Sequence, residues 1–451
     1  MNIQDFQTEL FAAGEKAGFE EMELFYSSSK AVSIAVYHQE IDDYTIMEEG
    51  GVSFRGLFKG KMGYAYAERI AADSIPLLLE EALNNAEVIE VDGGEDLFEG
   101  SPEYAEPRPF SVELEHLDPE KMIQAAMDLE RIAYETDERV AFVQYSYASK
   151  GVNETLIANT KGLLCHSKSA FTSLGLYLTA QDGESTATGG ESDFTIQSFA
   201  DLDSRKIAEK AVHEAVSKLH ASSIATGTYP IIFRYDTATE LIGSLLGQLS
   251  AESVQQGYTK LKGKLNEQIV GENISFVDDP LMKDTITYAP FDSEGFATRK
   301  KDLIRNGKLI SFMHNRKTAK KDGVESTGNA VKGGFRSPVG VGPYNLYLEP
   351  GDSSLNDMIA NTDKGILIVE LQGTNAGINF TAGDFSLAAI GFLIENGTIT
   401  RTIDQFTVAG NVFDLLNDVS VIGNDLRFRS AITLPSIKVN GLQVSGSQTL
   451  E

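Results

Sequence analysis

The chain has 451 residues, 42% hydrophobic and 23% charged, long enough for two or three domains and able to bury a substantial core. Its 38 Lys and Arg stand against 66 Asp and Glu, and a net charge of -28 argues against gripping nucleic acid through its surface as a whole. The single cysteine, Cys165, excludes an intrachain disulfide and any metal site built from several thiolates, and it fits a cytoplasmic setting.

The opening residues, MNIQDFQTELFAAGEKAG, have no basic region leading into a continuous apolar run, so they predict an amphipathic helix over residues 2–17 rather than a signal peptide. Alternating runs at 31–38, 51–60 and 61–69 predict strands. A second helix is expected near 73–86, capped by Asp73 or Ser74 with Pro76 in its first turn. After a Pro- and Glu-rich connector at 100–109 the order recurs. A helix opens at Asp118-Pro119-Glu120, strands such as VAFVQYSYA and LGLYLTAQ lie between 140 and about 199, and a helix runs over 203–220. The recurrence predicts an α+β fold with duplicated helix, antiparallel meander and helix units, the first over residues 1–110 and the second over 111–222.

Residues 223–451 open with the apolar strand TYPIIF (228–233) and a helix over 237–250, after which strands dominate. Asn-Gly pairs at 306–307, 396–397 and 440–441 each separate apolar-rich runs and predict type I′ hairpins, so this part is expected to be a β-rich C-terminal domain. The apolar run LAAIGFLI (387–394) is far short of the roughly 20 residues that span a bilayer. No membrane segment is expected.

HEAVSKLH (213–220) has the letters of a zinc signature without its spacing. On a helix, His213 and His220 lie about 10.5 Å apart along the axis, whereas zinc needs two nitrogens within roughly 3.5 Å of one another. No nucleophile elbow or phosphate loop is present, and His38, His116, His166 and His314 are scattered. Cys165 and His166, adjacent on a strand, point to opposite faces. Two acid pairs remain, Asp278-Asp279 and the Asp292-x-Glu294 of FDSEG. Either could bind a hard cation or serve as acid and base, although such pairs usually sit in solvated loops. Residues 256–340 carry 15 Lys and Arg against 10 Asp and Glu. Such a face pairs with acidic surface on the same chain or a partner, or it forms an anion or peptide-carboxylate site.

The string FDSEGFATRKKDLIRNGKLISFMHNRKTAKK, then STGNA (326–330), INFTAGDFSLAAIGFLIENGTI (378–399), FTVAGN (406–411) and IGNDLRF…LPSIKVNGLQVSG closely resemble the TldD/PmbA family, formerly called modulators of DNA gyrase. The resemblance is strongest over 225–446 and extends more loosely to the N-terminal half. It implies a cytoplasmic protease of two related subunits, in which the TldD-type subunit holds its metal through H-E-x-x-x-H on the helix after the apolar strand, plus a later cysteine. Aligned on TYPIIF, that motif falls on Gly243, Ser244 and Gln248. Glycine offers no ligand, glutamine is a poor one for zinc, and serine cannot act as the general base.

The chain therefore resembles the PmbA (TldE) type, with no cofactor of its own. The resemblance implies a non-catalytic subunit that pairs with a zinc-bearing TldD-like partner and helps wall a cleft for an extended peptide. The Gly-rich segments STGNAVKGGF and GTNAGINF are candidate cleft linings, with Gly333, Gly334, Asn375 and Gly377 as the candidate residues, because glycine lets backbones approach closely, or else they are tight turns. A homodimer of the isolated chain is compatible with this. The alternatives are a regulatory protein acting on DNA gyrase or toxin–antitoxin targets without peptidase activity, and a self-sufficient homodimeric hydrolase using FDSEG.

Overall fold

A computed structural model describes residues 1–88 and 96–447. The N-terminal half is built on very long strands: β1 (Glu21–Tyr37), β2 (Glu40–Phe58), β3 (Lys61–Ala67), β4 (Val140–Asn159), β5 (Leu164–Asp182) and β6 (Ser185–Thr195). The expected duplication is present, and its two meanders are fused. They form one antiparallel sheet in the order β3-β2-β1-β4-β5-β6, joined down the middle by β1 against β4 from Glu23↔Asn159 to Val36↔Ser146.

Alternation then sorts the side chains onto two faces. On one face lie four helices. Helix α1 (Ile3–Ala17), capped by Asn2 and ended by Gly18 at φ 94, buries Phe6, Leu10 and Gly14 at helical spacing. Together with α2 (Ser74–Val88) it covers Leu24, Val52, Phe54, Leu156 and Ala158. Helix α3 (Pro119–Thr136), with Asp118 as cap and Pro at its start, packs with α4 (Ser204–Ser217) over Ile34, Val36, Ala148, Leu174 and Leu176. The outer strands let these helices come close through glycine. A Cβ on Gly63 would lie 1.9 Å from the Ala82 carbonyl oxygen of α2, and one on Gly189 would lie 2.5 Å from that of Ala211 on α4. The same device thus recurs in both halves.

The β1–β2 turn has no Asn-Gly signal. His38 (φ 52) and Gln39 (φ 59) supply its left-handed backbone, and the fully buried Glu130 of α3 accepts both of their N–H groups at 2.8 and 2.7 Å.

The helix expected over 203–220 stops at Ser217, so the assumption that His213 and His220 share a helix is corrected. Lys218 leaves the helix to reach Glu370 at 2.9 Å, and His220, at φ 56, pairs with Asp182 instead. Glu214 of that stretch holds Arg234 at 2.7 and 3.1 Å, tying α4 to the second half.

That second half is the expected β-rich domain. Strands β7 (Gly227–Phe233), β8 (Lys364–Gln372), β9 (Asp384–Glu395), β10 (Thr398–Asn411) and β11 (Ile437–Ser445) run β10-β9-β8-β7-β11, and pairing of β10 with β11 closes them into a barrel. A second sheet of short strands (276–278, 301–305, 308–309, 346–348, 432–433) shares its apolar core, which includes Phe233, Ile304, Leu346 and Val408. Asn306-Gly307 and Asn396-Gly397 adopt the expected positive φ angles. Asn440-Gly441 does not turn the chain. It forms an irregularity inside β11, and Asp418 accepts both freed N–H groups at 2.9 and 3.1 Å. Among the described residues no helix is long and apolar enough to cross a membrane.

Gly63→Ala and Gly189→Ala should each lower stability by about 1–3 kcal/mol, because the added methyl meets helix backbone rather than a movable side chain. Denaturant unfolding measures both. An unchanged midpoint in either variant would show that the helix can shift without cost.

Candidate functional site

Helix α5 (Tyr235–Gly243) follows β7, as the sequence implies, but it does not continue to residue 250. It ends at Gly243, a 3₁₀ turn covers Leu246–Leu249, and a new helix, Ala251–Gln256, starts behind the cap Ser250. Two interactions explain the break. Ser244 Oγ donates back to the Leu241 carbonyl at 2.7 Å, and residues 249–251 are pulled into strand-like pairing with Met313. There the Met313 N–H donates to Leu249 O at 2.8 Å and the Ala251 N–H to Met313 O at 2.9 Å.

The three motif positions therefore lie on two separate turns. Gly243 is buried, and a Cβ there would stand 3.2 Å from the Ile432 side chain. Ser244 is exposed. Gln248 is 5% exposed, with both ends of its amide engaged: Nε2 donates to Phe380 O at 2.6 Å, and Oε1 accepts from Thr259 Oγ1 at 3.1 Å. A metal ion does not fit this donor set. Among the described residues, no three His, Cys, Asp or Glu side chains gather as ligands elsewhere.

Gln248 instead holds the GTNAGINF loop. Thr374 of that loop donates to Glu240 of α5 at 2.8 Å, Asn375 is exposed, and Phe380 is 48% exposed. Gly377 packs so tightly that a Cβ would lie 2.5 Å from Ser386 O, and Ser386 N–H donates to its carbonyl at 2.9 Å. The structure thus brings Gln248, Asn375 and Gly377 into one assembly.

Gly333 and Gly334 belong to a different one. They lie in a loop pinned to the N-terminal sheet, on the face opposite the helices. Lys332 reaches Ser53 Oγ at 2.5 Å and lies over the Phe25 ring, while Phe335 N–H donates to Ser27 Oγ at 3.0 Å and its ring is buried beside Phe25, Ile157 and Cys165. Burial pushes the Lys332 ammonium down to about 8 and the Cys165 thiol up to about 11. Exposed His166 faces away from that cluster and pairs with Glu154.

FDSEG sits on the same seam. The expectation of a solvated loop is corrected, since Asp292 is 1% and Glu294 5% exposed. Asp292 accepts the N–H groups of Glu294, Phe296 and Ala330 at 2.9–3.1 Å, and Glu294 accepts that of Arg316 at 2.8 Å. The turn is pressed onto the N-terminal half by Tyr104, which donates to Gly295 O at 2.7 Å, and by Phe98 stacked on Phe296. Burial, and then the neighbouring Glu294 charge, push the Asp292 carboxyl up to about 7; burial also raises Glu294. Asp278 is equally structural, accepting from Lys301, Asn329, Tyr344 and Asn345. Part of the basic stretch 256–340 pairs with acids of this chain, including Arg316 with Asp96 and Arg336 with Glu49 and Glu68. Sequence reasoning missed Glu214, Arg234 and Lys332, whose partners lie far away along the chain.

Three domain descriptions of one family match the chain in order: PmbA/TldA metallopeptidase domain 1 over residues 22–86, central domain over 113–219 and C-terminal domain over 226–446. A Thermotoga maritima crystal structure, described as a candidate modulator of a DNA gyrase, superposes with a TM-score of 0.90 at 32% identity, covering 98% of this chain and 100% of that one. The chain belongs to the PmbA/TldD metallopeptidase family. TldE from Thermococcus kodakarensis is similar at 27% identity and a TM-score of 0.89, covering 98% of this chain and 100% of that one. Metalloprotease PmbA of Escherichia coli O157:H7 is 25% identical over 443 residues, 96% of this chain and 94% of that protein.

Two outcomes are expected within this PmbA/TldD framework. Gln248→Ala should cost about 1–3 kcal/mol of stability by stranding buried polar groups, and it should speed amide exchange across residues 374–383; exchange as slow as in the wild type would show that Gln248 does not hold the loop. The raised carboxyls act through linkage. The folded chain keeps the Asp292 proton between its ordinary 3.8 and about 7, so this group's contribution to stability falls as pH rises through that window. Glu294→Gln, which keeps an acceptor for Arg316 and removes a charge, should gain on the wild type as pH rises from about 4 to about 7, by up to about 1.4 kcal/mol per pH unit and proton. Parallel pH–stability curves for the two proteins would refute the coupling.

Proposed function

We propose that this chain is the non-catalytic, TldE-type subunit of a two-subunit peptidase. It pairs with a TldD-like subunit that carries the metal, zinc, and it helps to wall the cleft in which an extended peptide is cut. The observation that carries the reading is Gln248: at the position onto which the alignment on TYPIIF carries the TldD-type metal ligand, its amide is wired between Thr259 and the Phe380 carbonyl. The loop it holds presents exposed Asn375 and Phe380 beside α5, a surface able to meet peptide backbone without regard to side chains. Gly333 and Gly334 enter the same reading as backbone that a partner or peptide can approach closely.

The test is reconstitution. The chain alone should carry no stoichiometric zinc and cut no unfolded peptide, while mixing with its TldD-like subunit should produce chelator-sensitive cleavage. Metal-dependent cleavage by the chain alone would overturn the proposal. Within the reconstituted pair, Asn375→Ala should lower kcat/KM about three- to tenfold, the worth of a lost hydrogen bond, and Gly333→Val should also reduce it. Cleavage indifferent to both changes would remove these segments from the cleft.

A further inference from the structure

Residues 40–51 of β2 pair with β1 on one side only. Strand β3 reaches no further than the Val52↔Ala67 pair, so among the described residues this stretch is an open sheet edge. Along it Ile41 is 47%, Tyr44 42%, Ile46 64% and Met47 56% exposed. Ile41, Tyr44 and Ile46 stand opposite Val36, Ile34 and Val32, so they prolong the helix-side apolar layer beyond the part that α3 and α4 cover. The opposite edge of the sheet, β6, begins STATGG and offers nothing comparable. Unpaired backbone groups lined with large apolar side chains form a template for another strand, and soluble proteins do not usually leave one bare.

The charges say which strand. Residues 40–49 contain five acids, Glu40, Asp42, Asp43, Glu48 and Glu49, and no Lys or Arg. Glu48 and Glu49 have cations at 3.4 and 3.5 Å in Lys30 and Arg336, whereas Glu40, Asp42 and Asp43 have none among the described residues. A second copy of this chain, paired antiparallel about Thr45, would set Asp42 against Glu48 twice, and like charges directly opposite destabilise a sheet. A strand carrying Lys or Arg between apolar residues meets the opposite condition.

We infer that the 40–49 edge of β2 is a docking strand for a different polypeptide, which extends the N-terminal sheet by one strand bearing cationic side chains. That this polypeptide is the TldD-like subunit rests on the function proposed above; the chemistry of the edge does not.

Hydrogen exchange on the full chain tests it, with synthetic peptides alternating lysine and valine, or glutamate and valine, as probes. The Lys/Val peptide should slow exchange at residues 40–51 about tenfold or more while the Glu/Val peptide leaves it unchanged. An Ile46→Asp/Met47→Asp variant, altered only at exposed positions, should keep its melting temperature and lose the protection. An Asp42→Lys/Glu48→Lys variant should reverse the preference. Protection by both peptides alike, by neither, or in the chain alone through self-association would overturn the inference. A TldD-like subunit that binds wild type and Ile46→Asp/Met47→Asp equally, leaving residues 40–51 unprotected, would also overturn it while sparing the proposed function. Failure of that subunit to bind, with Lys/Val protection intact, would sink the proposed function alone.

Discussion

The backbone ladder between β1 and β4 is the constraint from which the rest of the architecture follows. Each half of the N-terminal region brings three strands and a helix pair, and neither could bury both of its faces unaided. By running antiparallel from Glu23↔Asn159 to Val36↔Ser146, the two central strands turn the halves into one sheet with one continuous helix-covered face. The other face is then free along its Glu23–Ser27 end to receive the second half of the molecule.

That reception is more polar than the cores on either side. Arg55 and Glu23 pair at 2.7 Å, Glu294 and Asp292 lie beside them, and Lys332 spans from the loop to the sheet. Taking charges out of water costs several kcal/mol per ion, and the attraction between them repays this only where geometry and hydrogen bonds are good. Apolar contacts at Phe25, Ile157, Leu163 and Phe335 supply adhesion. The polar contacts that cross between the halves, Arg336 with Glu49 and Glu68, Arg316 with Asp96 and Lys332 with Ser53 Oγ, fix which way the halves sit, because a shifted docking would separate them.

Local chemistry was legible in the sequence. The helix read as opening at Asp118-Pro119-Glu120 does so, with Asp118 as its cap, and alternation found the strands and the recurrence of helix and meander. Two of three Asn-Gly pairs turn the chain, because their φ angles depend on the residues themselves. The third does not, since β7 on one side and Asp418 on the other hold residues 437–445 extended. The same kind of distant partner explains the other departures. Met313 breaks the helix expected over 237–250, Glu370 draws Lys218 out of α4, and Tyr104 with Phe98 presses FDSEG out of water. At 243, 244 and 248 the sequence shows residue types alone, Gly, Ser and Gln. Only the fold disclosed that Gln248 has other work.

The interrupted segment after α5 bears on how this branch of the family could change. Placing two imidazoles and a carboxylate at 243, 244 and 248 would leave the first facing Ile432, the second on a capped end and the third on a turn of its own, with the Phe380 loop cut loose. Backbone, packing and side chains would all have to change together. A metal centre at these three positions would therefore need the segment after Gly243 rebuilt as one continuous helix as well as new side chains on it.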